Sequence, residues 1–563
     1  MKRASIFLFF YFFQLSAWSQ LFKQKTYPQN YFQWPVATTP GLVANFGELR
    51  PNHYHMGLDC RTDGRENLSV LAAADGYIAK VNIDATGFGR AIYINHPNGT
   101  TTLYAHLNEF YPELEEYVTA QNYLLQQWKV KLEIPPQMFI VKKGQFIAHS
   151  GNTGGSQGPH VHFEIRDTKT DKVLNPLLFG LPIEDDVSPQ ILRLAIYDRR
   201  YSTYEQTPKI VVLKKMNGVY QPIGGSINVH TNKVSFAISA IDKYSGSTNP
   251  NGVYKATIFD NNQAVSGFEM DSVSYDETRY LNAHIDYKTK NHGGPFLQHL
   301  SPLPGYANGI YHTSTEYPDG IIYLQNNQEH QIKIVVADVN NNTSILTFQL
   351  HTNDLEEKHI TQTGNIFKPN NINVFENNHL FFYLPEKALY DSFHLSTYDL
   401  GNHTFQIHNN DVPIHQYFPI KIKASFSIDD TGKVIMKQIA NNKEKFKKAN
   451  NINGWYTSLY RDFGRYQLLI DHQPPTVFPL WGFKEGVHIG NASRIAFAAS
   501  DNSVTIESFD GYIDGKWVLF TNDKEKSFVY KVDKFCPPGE HSLRIIVKDL
   551  VGNITEKNYH FTR

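Results

Sequence analysis

The 563-residue chain is long enough for several domains, and 41% hydrophobic with 19% charged residues is a folded composition rather than that of a disordered polymer. Its 53 basic and 54 acidic side chains leave a formal charge of −1, which excludes the electrostatic footprint of a nucleic-acid binder. Two cysteines, Cys60 and Cys536, are too few for a fold held by disulfides. Cys60 reads as a small buried apolar residue, and no bridge to Cys536 is expected.

Residues 1–19 read as an export leader. Lys2 and Arg3 supply a positive start, and Ile6 to Phe13 form an apolar run too short to span a bilayer. Ala17-Trp18-Ser19 place small residues at the −3 and −1 positions, so cleavage is expected before Gln20, with no cysteine at the cut to carry a lipid anchor. The mature chain is expected in the periplasm, the cell envelope or outside the cell, with no later transmembrane segment.

From residue 20 to 183, short apolar runs alternate with Gly and Asn turns, as in "GRAIYINHPNGTTTLYAHL". Asn98-Gly99 between two alternating runs predicts a β-hairpin. One stretch breaks the texture. Pro112 suits a first helical turn, acids follow it, and Leu114, Tyr117, Val118, Leu125 and Trp128 share a helical face, with Lys129 and Lys131 closing the far end. A helical insert of four to five turns over about 112–130 follows, read as packing, with a substrate-groove wall as the alternative.

Beyond residue 183 the sequence repeats itself. "HQIKIVVADVNNNTSILTFQL" (330–350) aligns without a gap with "HSLRIIVKDLVGNITEKNYHF" (541–561); "EDDVSPQI" (184–191) corresponds to "IDHQPPTV" (470–477), and "KVSFAISAID" to "RIAFAASD". Two related β-sandwiches are expected over 184–352 and 471–563, the first enlarged around 265–320. Residues 353–470 form a further β unit, in which "NNKEKFKKANN" reads as a solvated hairpin loop.

Chemistry concentrates in three runs: "HYHMGLDC" with His55 and Asp59, "LYAHL" with His106, and "GPHVHFEIRD" with His160 and His162. Residues i and i+2 of a strand project to one face, so His160 and His162 point together if Val161 and Phe163 enter the core. Extended backbone would likewise put His55 and Asp59 on a shared face. Imidazoles and a carboxylate gathered in one place are costly without a partner, and a zinc ion accepts that donor set. Glu164, two residues further along, is either a hydrogen-bond acceptor behind a ligand or exposed. His53 and His149 fit no such pattern.

"NFGELRPNHYHMGLD", "LYAHL" and "VKKGQFIAHSGNTGGSQGPHVHFEIRD" together resemble the signature set of lysostaphin-type zinc metallopeptidases, over about residues 40–170. The resemblance implies one zinc ion held by His55, Asp59 and His162. It implies that His106 and His160 are the catalytic histidines, polarising water and stabilising the tetrahedral intermediate. It also implies an exported endopeptidase cutting the peptide cross-links of bacterial peptidoglycan. The helical insert departs from the family pattern and puts specificity, rather than chemistry, in question. The expected architecture is mainly β: a lysostaphin-type peptidase β-sheet domain with one inserted helix, then about three Ig-like β-sandwich units. Those units are expected to bind an envelope protein or glycan. The rival reading is a catalytically inactive adaptor that uses its β-sandwiches alone.

Overall fold

The computed structural model describes residues 21–23, 25–352, 364–503, 506–525 and 527–563; the leader expected over 1–19 lies outside them. The regular elements of the described chain are almost all strands. No helix among the described residues is long and apolar enough to cross a membrane.

The N-terminal sheet is antiparallel along its main path. Its strands are β1 (Leu42–Ala44), β2 (Leu58–Arg61), β3 (Gly76–Ile83), β4 (Arg90–Asn95), β5 (Thr100–Ala105), β6 (Val130–Glu133) and β7 (His160–Asp167). They are ordered β1-β2-β7-β5-β4-β3-β6. The expected Asn98-Gly99 hairpin joins β4 to β5, with Gly99 at φ 81°. The central strand β7 sends Val161, Phe163 and Ile165 into the core, each 0% exposed, and its alternate residues to the opposite face. Register then fixes the site: His162 lies opposite Asp59 of β2 on one side and Ala105 of β5 on the other.

The inserted helix α1 (Pro112–Leu125) is shorter than the sequence suggests. It stops at Gln126, whose left-handed φ of 49° lets the Asn122 amide donate to the Gln127 and Trp128 carbonyls at 2.7 and 2.9 Å. Trp128 and Lys129 therefore lie beyond the helix, and Lys131 is on β6. Leu114 and Val118 are buried, with Tyr117 and Trp128 packed against the same core, whereas Leu125 is exposed. The inner face is packing. The outer face carries Tyr123 against Phe535 and Trp517 of the C-terminal unit, with ring centroids 4.8 and 5.7 Å apart.

The next unit is a 12-stranded sheet that includes β8 (Gln190–Asp198), β9 (Lys233–Ile241), β10 (Glu329–Ala337) and β11 (Thr343–Thr352). Its two halves share one core, since Leu194 and Phe236 cluster with Ile334 and Phe348. It is joined to the first unit edge to edge, because Val173-Leu174, paired with β7, also pairs with Ser272-Val273. Residues 364–471 carry two five-stranded sheets around a separate core. Here the "NNKEKFKKANN" run differs from expectation. Only Asn441-Asn442 turn, both at positive φ, and Lys443–Lys448 form an edge-side strand paired with Val434–Ala440. Its lysines suit a strand exposed on one face.

The last unit has a four-stranded and a five-stranded sheet, with β12 (Thr476–Pro479), β13 (Arg494–Ser500), β14 (Glu540–Asp549) and β15 (Ile554–Thr562). The repeated sequences occupy equivalent places: β10-β11 and β14-β15 are both antiparallel hairpins, and β12 pairs with β13 as β8 pairs with β9. Cys60 and Cys536 are both buried and unbridged.

Candidate metal centre and active site

The extended backbone that would by itself give His55 and Asp59 a shared face is interrupted between them. The hairpin Leu49-Arg50/His53-Tyr54 ends before His55, and residues 55–57 run outside any strand before β2 begins at Leu58. Gly57 makes this crossing possible: a Cβ there would stand 2.5 Å from the Phe163 carbonyl oxygen and 2.9 Å from His162 Nε2. The chain thus passes hard against β7, and His55 and Asp59 arrive on the face that carries His162.

Three atoms converge. His55 Nε2 is 2.9 Å from Asp59 Oδ1, His162 Nδ1 is 3.0 Å from the same oxygen, and the two ring nitrogens are 3.0 Å apart. All three residues are buried. Each imidazole's other nitrogen points away to an acceptor: His55 Nδ1 donates to the Asn45 carbonyl at 2.7 Å, and His162 Nε2 donates to Glu164 at 2.9 Å. These outer bonds assign the tautomers and turn two imidazole lone pairs inward. Asp59 Oδ2 is taken by Arg50 at 2.6 Å, which leaves Oδ1 for the centre. Two nitrogens and one carboxylate oxygen are the donor set zinc prefers. At zinc–ligand distances of about 2.0–2.2 Å, donors around a tetrahedral ion sit roughly 3.3 Å apart, close to the spacing here.

Electrostatics agrees with a cation-seeking cluster. Burial pushes Asp59 up, but the charge of His55 and hydrogen bonds from His160, His162 and His55 outweigh it, holding the carboxyl well below its usual range. Burial depresses His55 to about 4. Burial also opposes charge on His162, yet its hydrogen bonds to Asp59 and Glu164 raise it to about 9. In the absence of a metal the cluster therefore gathers a proton at His162.

His106 and His160 stand beside this centre, with ring centroids 4.8 Å apart. His160 Nδ1 lies 2.8 Å from the Gly158 carbonyl, and its Nε2 lies 3.4 Å from Asp59 Oδ1. His106 interrupts the sheet between Ala105 and Leu107 with φ 60°, a left-handed conformation uncommon for a residue with a side chain. That kink aims its ring toward His160 and lets Nδ1 donate to the Thr153 carbonyl at 2.8 Å. Burial, followed by the charges of His160 and His162, pushes His106 down to about 3, so its ring is neutral with Nε2 as acceptor. All five residues singled out from the sequence are thus brought together, and His53 is exposed on the hairpin.

Other participants carry no motif. Glu164, left open between two readings, is 0% exposed and holds His162. It is gripped in turn by Arg166 at 2.7 Å and by the Tyr275 hydroxyl, which comes from the second unit. The Arg166 guanidinium also lies over the Tyr275 ring, 4.9 Å from its centroid. The glycine-rich loop 151–158 packs on the Gly87–Gly89 turn, where a Cβ at Gly154 would meet Gly89 N at 2.3 Å. From the last unit, Asp523 accepts from Gly154 N at 2.8 Å, and Lys524 Nζ donates to Asn152 Oδ1 at 2.9 Å and to the Ser156 carbonyl at 2.7 Å. The expectation for Glu164→Gln is a roughly 10–100-fold loss of zinc affinity with the fold intact, since the acceptor loses its charge. Competition titration against a chromophoric chelator measures this, and an unchanged affinity would remove Glu164 from the centre.

Residues 53–127 and 125–176 match the model of peptidase family M23. The chain carries an M23 peptidase domain. An "uncharacterized metalloprotease" of Haemophilus influenzae is 32% identical to it over 136 residues, 24% of this chain and 22% of that protein. A DD-carboxypeptidase/endopeptidase Mpg of Neisseria meningitidis is 33% identical over 128 residues, 23% of each chain. The chain thus spans less than a quarter of the length of these curated relatives. Among solved structures, the catalytic domain of the antimicrobial peptidase lysostaphin from Staphylococcus simulans aligns at 23% identity over 25% of this chain and 90% of that chain, with a TM-score of 0.19. Residues 364–471 match a Zu5-like domain. All five histidine and aspartate positions at the centre fall within the M23 match.

Proposed function

We propose that the protein is an exported zinc-dependent endopeptidase that hydrolyses peptide cross-links of bacterial peptidoglycan. The observation that carries this reading is the convergence of His55 Nε2, Asp59 Oδ1 and His162 Nδ1, with two further imidazoles beside them. The M23 match and the peptidase names of the relatives support it. His55, Asp59 and His162 would hold one zinc ion. When bound, zinc polarises a peptide carbonyl and makes water acidic enough to react near neutral pH.

The remaining work falls to this chain's own side chains. Neutral His106, its Nδ1–H fixed on the Thr153 carbonyl, presents Nε2 to accept a proton from the attacking water and return it to the leaving amine. His160, the more exposed of the two β7 histidines, would donate to the developing oxyanion. Glu164 and Asn45 keep both ligand rings in register. The β units beyond residue 183 would hold the enzyme on an envelope protein or glycan, and the leader over residues 1–19 would deliver it to the periplasm, envelope or exterior.

Digestion of cross-linked muropeptides by the full mature chain, followed by mass spectrometry, tests the reading. Cleaved cross-links, loss of cleavage on chelation and recovery with one equivalent of zinc are expected. A zinc-loaded protein that leaves every cross-link intact would overturn it and favour an inactive adaptor.

A further inference from the structure

Two acidic triads occupy equivalent places in the two related β units. Asp185, Asp242 and Asp338 form one, and Asp471, Asp501 and Asp549 the other; in each, one oxygen from every carboxylate lies within 4.8 Å of the other two. The correspondence is residue by residue. Gln190 pairs with Ile241 as Thr476 pairs with Ser500, so Asp242 and Asp501 follow at the same register. Asp338 directly follows β10 and Asp549 closes β14, the first strands of the repeated hairpins.

The scaffolding is duplicated as well. Asp185 and Asp471 each accept from the amide two residues on, Val187 N at 3.0 Å and Gln473 N at 3.1 Å. Asn342 and Asn553 each donate from the side chain to Asp338 or Asp549 at 2.7 Å, and to the Asp185 carbonyl at 3.1 Å or the Asp471 carbonyl at 3.0 Å. Each asparagine also donates its backbone N–H to the other oxygen of the same carboxylate, Asp338 Oδ1 at 2.8 Å and Asp549 Oδ1 at 2.7 Å.

Three of the remaining carboxylate oxygens lack partners. Asp242 Oδ1 and its counterpart Asp501 Oδ1 are buried with no hydrogen bond, and so is Asp471 Oδ2; Asp242 and Asp471 are each only 1% exposed. Among the described residues, no lysine, arginine or histidine forms an ion pair with any of the six carboxylates. Lys433 comes near the second triad, but its ammonium goes to Asn553 Oδ1 at 2.6 Å and to the Val551 carbonyl. Buried carboxylate oxygens without donors or counter-ions are too costly to recur at the same place in two repeats for packing alone. Burial and the charges of Asp185 and Asp338 push Asp242 up to about 7, the cost of leaving this charge unmatched.

We infer that each triad is a binding site for a divalent calcium ion. The donors are all oxygen, which selects a hard cation, and carboxylates from three separate segments leave coordination flexible, as calcium tolerates and magnesium does not. The position of each site gives it a task. Asp185 and Asp471 lie in the segments that enter the two β units, from the M23 domain and from the Zu5-like unit, while the other two carboxylates belong to the unit itself. An ion there pins the entering segment to the end of the sandwich and fixes the angle between neighbours.

Calcium alone is the probe, added to the full-length mature protein with its M23 centre already saturated with zinc. Metal analysis after equilibrium dialysis at about 1 mM calcium, the affinity range of extracellular modules, should give two calcium ions per chain. Asp242→Asn and Asp501→Asn should each leave one, and the double variant none. Calcium should raise the melting temperature of the wild type by several degrees and leave that of the double variant unmoved. Without calcium, each variant should melt no lower than wild type, because the substitution removes repulsion; this separates lost binding from lost folding. Absence of calcium from the wild type, or two ions retained by the double variant, would overturn the inference. Magnesium binding with equal affinity would overturn the choice of cation.

Discussion

His162→Ala should abolish zinc binding and peptide hydrolysis together while leaving the sheet folded. His162 sits at the centre of β7, opposite both Asp59 and Ala105, but its ring points away from the core that Val161 and Phe163 enter. Truncation therefore removes a donor and not a packing element. It leaves Asp59 Oδ1 with His55 and His160 and frees Glu164 from its imidazole partner, although Arg166 and Tyr275 still satisfy that carboxylate. The loss in zinc affinity should exceed the roughly 10–100-fold that removal of a supporting residue costs. Metal analysis and thermal melting read this directly. Zinc at a hundredfold excess over its Kd should stabilise the wild type by about 2.7 kcal/mol and the variant not at all. A variant with a full complement of zinc would refute the ligand assignment.

His106→Ala should do the opposite to metal and the same to activity. Its ring lies 6.0 Å from that of His162, centroid to centroid, and makes no hydrogen bond to the three converging atoms. Zinc content should stay at one per chain. Turnover should fall by about 10²–10⁴-fold, the range for loss of a general acid–base group. Because His106 adopts φ 60°, His106→Gly serves as a control that carries no backbone strain. Equal turnover losses in the two variants assign the effect to the imidazole. Turnover at the wild-type level in either variant would remove His106 from the chemistry.

The five central residues were legible because each lies in a short, ordered motif and because strand alternation fixes which side chains share a face. For His55 and Asp59 the rule applied only to an extended backbone, and nothing local announces that Gly57 must slip past the Phe163 carbonyl. Arg50 and Asn45 sit inside the quoted motif but act through hairpin pairing and a backbone carbonyl, which spacing does not encode. Tyr275 was beyond reach, being 111 residues from the Glu164 it bonds. The helix ended early at Gln126 because the Asn122 amide caps it there, and the lysine-rich run became a strand because pairing with Val434–Ala440 overrode local propensity. The repeat between the two β units was legible, yet its acidic triads were not, because their members lie up to 153 positions apart and meet only when the hairpins fold.

The grip of Asp523 and Lys524 on loop 151–158 has a consequence for order of assembly. Thr153, which orients His106, lies in a loop whose clamp is encoded some 370 residues later, as the 369-residue separation of Gly154 from Asp523 shows. Closing so long a span costs only logarithmically more entropy than closing a short one, but it cannot happen before the last β unit exists. A chain emerging N-terminus first therefore brings His55, Asp59 and His162 together early and has the support of His106 completed last. Full support of this centre is tied to synthesis of residues 523 and 524.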